Sequence, residues 1–300
     1  VLGMVDASSQ GGKNGSWLLD PNNITVSAPP ATDSNVDGSY TATGDPAVVV
    51  NTSIETALNA GTDITLTADG NITIDTDISK TTGGDATLTF AADDSITLSS
   101  GKAISSITGK LNINFGTVAT DTGEITIGGP LSTNGGDVVF YKKTNLSYAT
   151  PISTKILSVT ADISGDVTFE KDVILNTSGL SVSIDTQGAQ SGSTFVGRGG
   201  DVVFKGKVES GLVDGLAAIV PQALSIDTSG ADISDGTGLK SGAITFGDGV
   251  GEDDVGTVAN PLASLTLTGP TTVSLKADEI NLAATSGDVL LASSSNGTPQ

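Results

Sequence analysis

Apolar residues in this chain fall on alternate positions in short bursts: Ile64 and Leu66, Ile72 and Ile74, Ile96 and Leu98. A period of two puts one set of side chains on the buried face of a strand and the interleaved Thr, Ser and Asp on the other. The bursts recur in two forms. One is a Gly-rich turn, often carrying an acid, that leads into a strand: GGDATLTF (83–90), TGEITIGG (122–129), GGDVVFYK (135–142), SGDVTFEK (164–171), GGDVVFKG (199–206), SGAITFGD (241–248) and SGDVLLAS (286–293). The other reads L-x-[VIL]: LNINF (111–115), LSVTA (157–161), LSVSIDT (180–186), LSIDTSG (224–230) and LTLTG (265–269). Nothing sustains a period of 3.6, and the two helical candidates, Ser53–Asn59 and Leu212–Val220, are short.

Similar strands recur over almost the whole chain with no linker and few hairpin dipeptides, which argues for equivalent strands stacked turn upon turn. Stacking pairs each backbone group with the turn above and below and leaves edges only at the ends. The pattern predicts an all-β protein, a right-handed parallel β-helix or β-solenoid formed as one continuous unit over 1–300. At about 20–25 residues per turn it would have about a dozen coils and a length on the order of 60 Å. Irregular loops are expected at 27–46, with Pro29, Pro30 and Pro46, and at Lys142–Thr154 and Gly206–Gln222. Tandem β-sandwich domains are the alternative.

Composition narrows the function. With 37% hydrophobic residues the chain can bury a core, and with 4% aromatic residues that core must be Val, Ile and Leu. A net charge of −21 leaves little Lys or Arg for phosphates, which disfavours nucleic acid and anionic membranes. No run approaches the roughly 20 apolar residues of a membrane span, so no membrane insertion is expected. Absence of Cys and His removes disulfides, thiolate and imidazole metal sites, and Ser-His-Asp or Cys-His catalysis.

Two segments resemble a known family. In VDASSQGGKNGSWLLDPNNITVS (5–27), the residues Asp6, Ala7, Ser8, Trp17, Leu18, Leu19, Asp20, Pro21, Ile24, Thr25 and Val26 match a run found in filamentous-haemagglutinin-like exoproteins of the two-partner secretion systems of Gram-negative bacteria. The piece AITFGDGVGEDDVGTVANPLASLTLTG (243–269) is similar to repeats of those giant adhesins; together the two cover about a sixth of the chain. The resemblance implies a right-handed β-helix, secretion through an outer-membrane transporter, a secretion domain upstream of Val1, and a place on the bacterial cell surface.

Candidate chemistry is sparse. Asp248, Glu252, Asp253 and Asp254 crowd one Gly-rich stretch, and their hard oxygen ligands suit Ca²⁺, although the spacing is neither an EF-hand nor a calcium-roll nonapeptide. The adjacent acids Asp93–Asp94 and Asp253–Asp254 are the raw material of a glycan-cleaving site, which needs two carboxylates about 5–9.5 Å apart, but they are read first as solvated turn residues. Arg198 is the only arginine, which argues against a polysaccharide lyase. Trp17 suits packing better than a sugar platform, and Tyr141, Lys142, Lys143 and Tyr148 form a polar-aromatic patch expected on a loop. Seven Asn-x-Ser/Thr sequons, at Asn14, Asn23, Asn51, Asn71, Asn145, Asn176 and Asn296, suit a chain rich in these residues; some relatives in the resembled family are glycosylated there. The expectation is a structural and adhesive segment of a secreted surface fibre, not an enzyme and without a resident cofactor. Its partners are the transporter, a host or neighbouring-cell surface or glycan, or further copies of itself. The alternative is a β-helical glycan-active or tail-spike-like protein. An ice- or mineral-binding solenoid would need ranked Thr, which the uneven spacing does not suggest.

Overall fold

A computed structural model describes residues 16–19, 22–29, 46–118, 122–149, 152–158, 162–177, 181–211, 219–231, 241–248, 254–257, 259–269, 272–276, 280, 282 and 289–292. Within them the chain is built almost entirely of short strands with one α-helix, α1, at Asn51–Asn59. Three long sheets of nine, eight and eight strands run side by side, and every pairing within them is parallel. Only a two-stranded pair, Gln190–Ser191 with Thr194–Phe195, is antiparallel.

Sheet A is represented by Asp63–Ala68, Ala86–Ala92, Leu111–Phe115, Val138–Phe140, Val167–Phe169, Val202–Phe204 and Ile244–Phe246 in stacking order. Sheet B includes Ile24–Ser27, Ile72–Ile74, Ile96–Leu98, Glu124–Ile127, Lys143–Leu146 and Val173–Leu175. Sheet C runs from Ile78–Lys80 through Ile104–Ser106, Leu131–Ser132, Ile152–Ser153, Ser181–Asp185 and Ala223–Asp227 to Ser264–Thr268 and Val289–Ala292. Over most of its length the chain visits A, B and C in turn, then steps up one strand. This is the parallel all-β stacking that the alternating pattern requires. The step is longer than expected: stacked neighbours are 24 residues apart at Asp63–Thr87, 29 at Asp137–Asp166, 35 at Asp166–Asp201 and 42 at Asp201–Ala243.

Alternation sets burial directly. Ala86–Ala92 reads buried–intermediate throughout, with Ala86, Leu88, Phe90 and Ala92 inside. Inward residues of all three sheets fuse into one core. The core is not only Val, Ile and Leu as expected: since register repeats from turn to turn, like stacks on like, and Phe90, Phe115, Phe140, Phe169, Phe204 and Phe246 form a continuous buried column, with ring centroids 4.7–5.5 Å apart and planes within 20° of parallel. That spacing follows the distance of about 4.8 Å between paired strands.

The helix foreseen at Ser53–Asn59 is present, and Ile54, Ala57 and Leu58 press into the core. Two expected excursions contain strands instead. Lys143–Leu146 joins sheet B and Ile152–Ser153 joins sheet C, so 142–154 is largely part of the stack; Val208–Ser210 likewise joins sheet B. Their alternation was concealed by polar or charged residues at inward positions, Lys142 and Thr144 among them, both buried. Residues 30–45 of the first expected loop, and 212–218 of the second helical candidate, lie outside the described residues.

Candidate functional site

The recurrent [GS]-G-D-x-x-F unit is a corner device. At the C-to-A corner, Gly136, Gly165, Gly200 and Gly242 lie on successive turns, and a Cβ on any of them would collide with a backbone carbonyl of the turn below. Each of these glycines' own carbonyls accepts a bond from a buried hydroxyl at the end of sheet C: Gly136 from Thr133, Gly165 from Thr154, Gly200 from Thr186 at 2.7 Å and Gly242 from Thr228 at 3.2 Å. The following acid builds a ladder. Asn112 Oδ1 accepts the Asp137 N–H, Asp137 that of Asp166, Asp166 that of Asp201, and Asp201 that of Ala243, at 2.7–3.0 Å. Charge accumulates along this ladder. Burial raises the Asp166 carboxyl above its ordinary value; the Asp201 N–H it accepts opposes this, and the neighbouring charges of Asp201 and Asp137 add to it. Burial raises Asp185 in the same way on sheet C, with Asp227 adding to the effect.

Two clefts open at the corners. One, of about 380 Å³, is lined by Ala92, Asp93, Asp94, Thr117, Val118, Thr122 and Lys142. Lys142 is buried at its floor, and its Nζ donates to the carbonyls of Asp93, Asp94 and Thr122 at 2.6, 2.7 and 3.0 Å, tying three turns together. Burial lowers its pKa against the opposing pull of Asp93 and Asp94. All three ammonium protons are engaged, so this cation offers none to a ligand. Asp93 and Asp94 are exposed on one wall, and among the described residues the opposite wall, with Thr117, Val118 and Thr122, carries no carboxylate to make the facing pair that glycoside hydrolysis needs.

The second cleft, about 210 Å³, was not foreseen from the sequence. It is lined by Asp85, Gly109, Lys110, Asn134, Ile156, Ser158 and Asp162. Its acids already have partners: Asp85 Oδ1 accepts the Lys110 N–H at 2.8 Å, and Asp162 lies 3.7 Å from Lys110 Nζ. Asn134 holds a left-handed backbone (φ 51°), with its amide donating to the Gly109 carbonyl and its Oδ1 accepting from Leu157 N–H. Among the described residues no aromatic ring lines either cleft.

Of the four acids proposed for Ca²⁺, Asp248 is exposed, and the Asp254 carbonyl accepts the Val208 N–H at 2.9 Å. Glu252 and Asp253 lie outside the described residues, among which no cluster of three or more acids is placed to hold a metal ion. Trp17 sits in a sheet A strand opposite Ile64. The expected Tyr141–Tyr148 loop patch is divided, with Lys142 inside and Lys143 on sheet B, 2.9 Å from Glu124. That bond, with a second from Asn145, lowers the Glu124 pKa below its ordinary value. The sequon side chains Asn23, Asn51, Asn71 and Asn145 are bonded within the stack.

The outer faces carry ladders that the sequence conceals. Thr25, Thr73, Thr97 and Thr126 stack on four turns of sheet B, and Ser79, Ser105, Ser132 and Ser153 on sheet C. The uneven spacing along the chain is therefore misleading, because register ranks these hydroxyls. The Thr rank ends at Asn145, Ile174 and Glu209. Among the described residues no helix is long and apolar enough to cross a membrane. No family model, curated protein or solved structure matches this chain.

Proposed function

We propose that this chain is a stiff structural and adhesive segment of a secreted bacterial surface fibre, of the filamentous-haemagglutinin-like kind. The observation that carries this reading is the continuity of the stack. Three parallel sheets, a buried Phe column and a carboxylate ladder repeat turn after turn, so the side chains that carry the repeat maintain the length of the rod. The reading takes the coil as right-handed, as parallel crossovers are in about 98% of cases, with one turn for each of the nine described strands of sheet A in place of the dozen expected. At about 4.8 Å per turn the rod is on the order of 40 Å long. The glycan-active alternative receives less support, since among the described residues these two clefts show neither facing free acids nor aromatic platforms.

The test pairs two measurements on the purified chain. Beads coated with it are expected to adhere to host or bacterial cells above beads coated with an unrelated β-solenoid. A panel of polysaccharides incubated with it is expected to release no reducing ends. Release that disappears in Asp85→Asn or Asp94→Asn would replace the fibre reading with the enzymatic one.

A further inference from the structure

Sheet C begins at Ile78–Lys80, and an edge strand of this kind offers a row of unpaired groups to any passing strand. The groups pointing up are used by the next turn, where the Ile78 N–H donates to Ala103 O and Lys80 O accepts from Ile107 N–H. Those pointing down meet α1. Asn51 Nδ2 donates to Asp77 O at 2.9 Å, Glu55 Oε1 accepts the Ser79 N–H at 2.9 Å, and Asn59 Oδ1 accepts both the Thr81 and Thr82 N–H groups at 2.8 and 2.9 Å. Asn51, Glu55 and Asn59 stand four residues apart, one above another on a single helix face. Three side chains thus satisfy four backbone groups while Ile54, Ala57 and Leu58 cover the core.

We infer that α1 is a lock that closes this edge of sheet C to a second copy of the chain. The second copy is the fitting occupant because a parallel stack is complementary to itself head to tail. The far edge of sheet C, Val289–Ala292, has the strand polarity that an added turn beneath Ile78–Lys80 would have. The lock does not depend on the adhesion reading. It bears on how fibres form: sheets A and B continue past this level with Ser16–Leu19 and Ile24–Ser27, so α1 fills the sheet C place of this chain's own first turn and keeps a strand of a second copy out of it.

The test is the variant Asn51→Ala/Glu55→Ala/Asn59→Ala. Hydrogen exchange at the Ser79, Thr81 and Thr82 amides is expected to accelerate at least about tenfold, while the Ile78 amide, bonded to the turn above, stays protected. Sedimentation velocity is expected to show concentration-dependent association beyond that of the wild-type chain. Glu55→Gln/Asn59→Asp keeps the acceptors and is expected to behave as wild type in both. If the triple variant does not fold, Asn59→Ala alone is read at Thr81 and Thr82. The lock is overturned if those amides already exchange freely in the wild type. It is equally overturned if they are freed in the variant while sedimentation stays unchanged at every concentration.

Discussion

Replacing Phe140 with Leu tests whether the aromatic column stabilises the rod beyond simple burial. Phe140 lies between Phe115 and Phe169, with centroids at 5.2 and 4.7 Å and planes 2° and 5° from parallel. Phe90, at one end, has a single ring neighbour among the described residues, at 5.5 Å and 20°. Both are fully buried, so the cost of exchanging an aromatic for an aliphatic side chain, up to about 1.5 kcal/mol, is common to Phe140→Leu and Phe90→Leu. Each aromatic pair is worth about 0.5–1.5 kcal/mol beyond area. Phe140→Leu loses two pairs and Phe90→Leu one, so the central change is expected to cost about 0.5–1.5 kcal/mol more. Urea titrations followed by circular dichroism, compared at equal m-values, measure the difference. If Phe90→Leu costs as much as Phe140→Leu or more, the column is ordinary core that happens to be aromatic.

Three further outcomes follow from the corners. Gly200→Ala is expected to destabilise by at least about 1–3 kcal/mol, because its Cβ would meet the Gly165 carbonyl, whereas Gly84→Ala, with open space around it, is expected to be near neutral in the same melt. Asp166→Asn keeps the acceptor for the Asp201 N–H, as Asn112 already does for Asp137, and removes a carboxylate that burial holds above its ordinary pKa. A raised folded-state pKa means the native state binds the proton more tightly, so stability falls as pH rises from about 3.8 through the raised value. The variant is therefore expected to melt higher than wild type at pH 7, with the gain disappearing below about pH 3.8; an equal gain at pH 3 would contradict the titration. Lys142→Met is expected to lower the melting temperature more than Lys143→Met, since the first removes three carbonyl bonds and the second a surface pair worth about 0–1 kcal/mol.

Much of this protein was readable from residue order alone. Alternation at Ile64–Leu66 and Ile72–Ile74 determined which side chains are buried, because a strand's period of two is a local property. The short Ser53–Asn59 pattern likewise foretold a helix, and the corner Gly-Asp pairs foretold turns leading into strands. Only the tertiary structure assigned those units to sheets. TGEITIGG and SGDVLLAS resemble the sheet A units, yet their strands lie in sheets B and C. Only the structure buried Lys142 beneath carbonyls two turns away, joined Asp137, Asp166 and Asp201 into one ladder, and ranked Thr25 with Thr73, Thr97 and Thr126. The physical reason is distance along the chain. Ladder neighbours are separated by 24 to 42 residues, and corner segments of changing length set that interval. A local pattern fixes which way each residue faces, whereas register between turns decides what it faces.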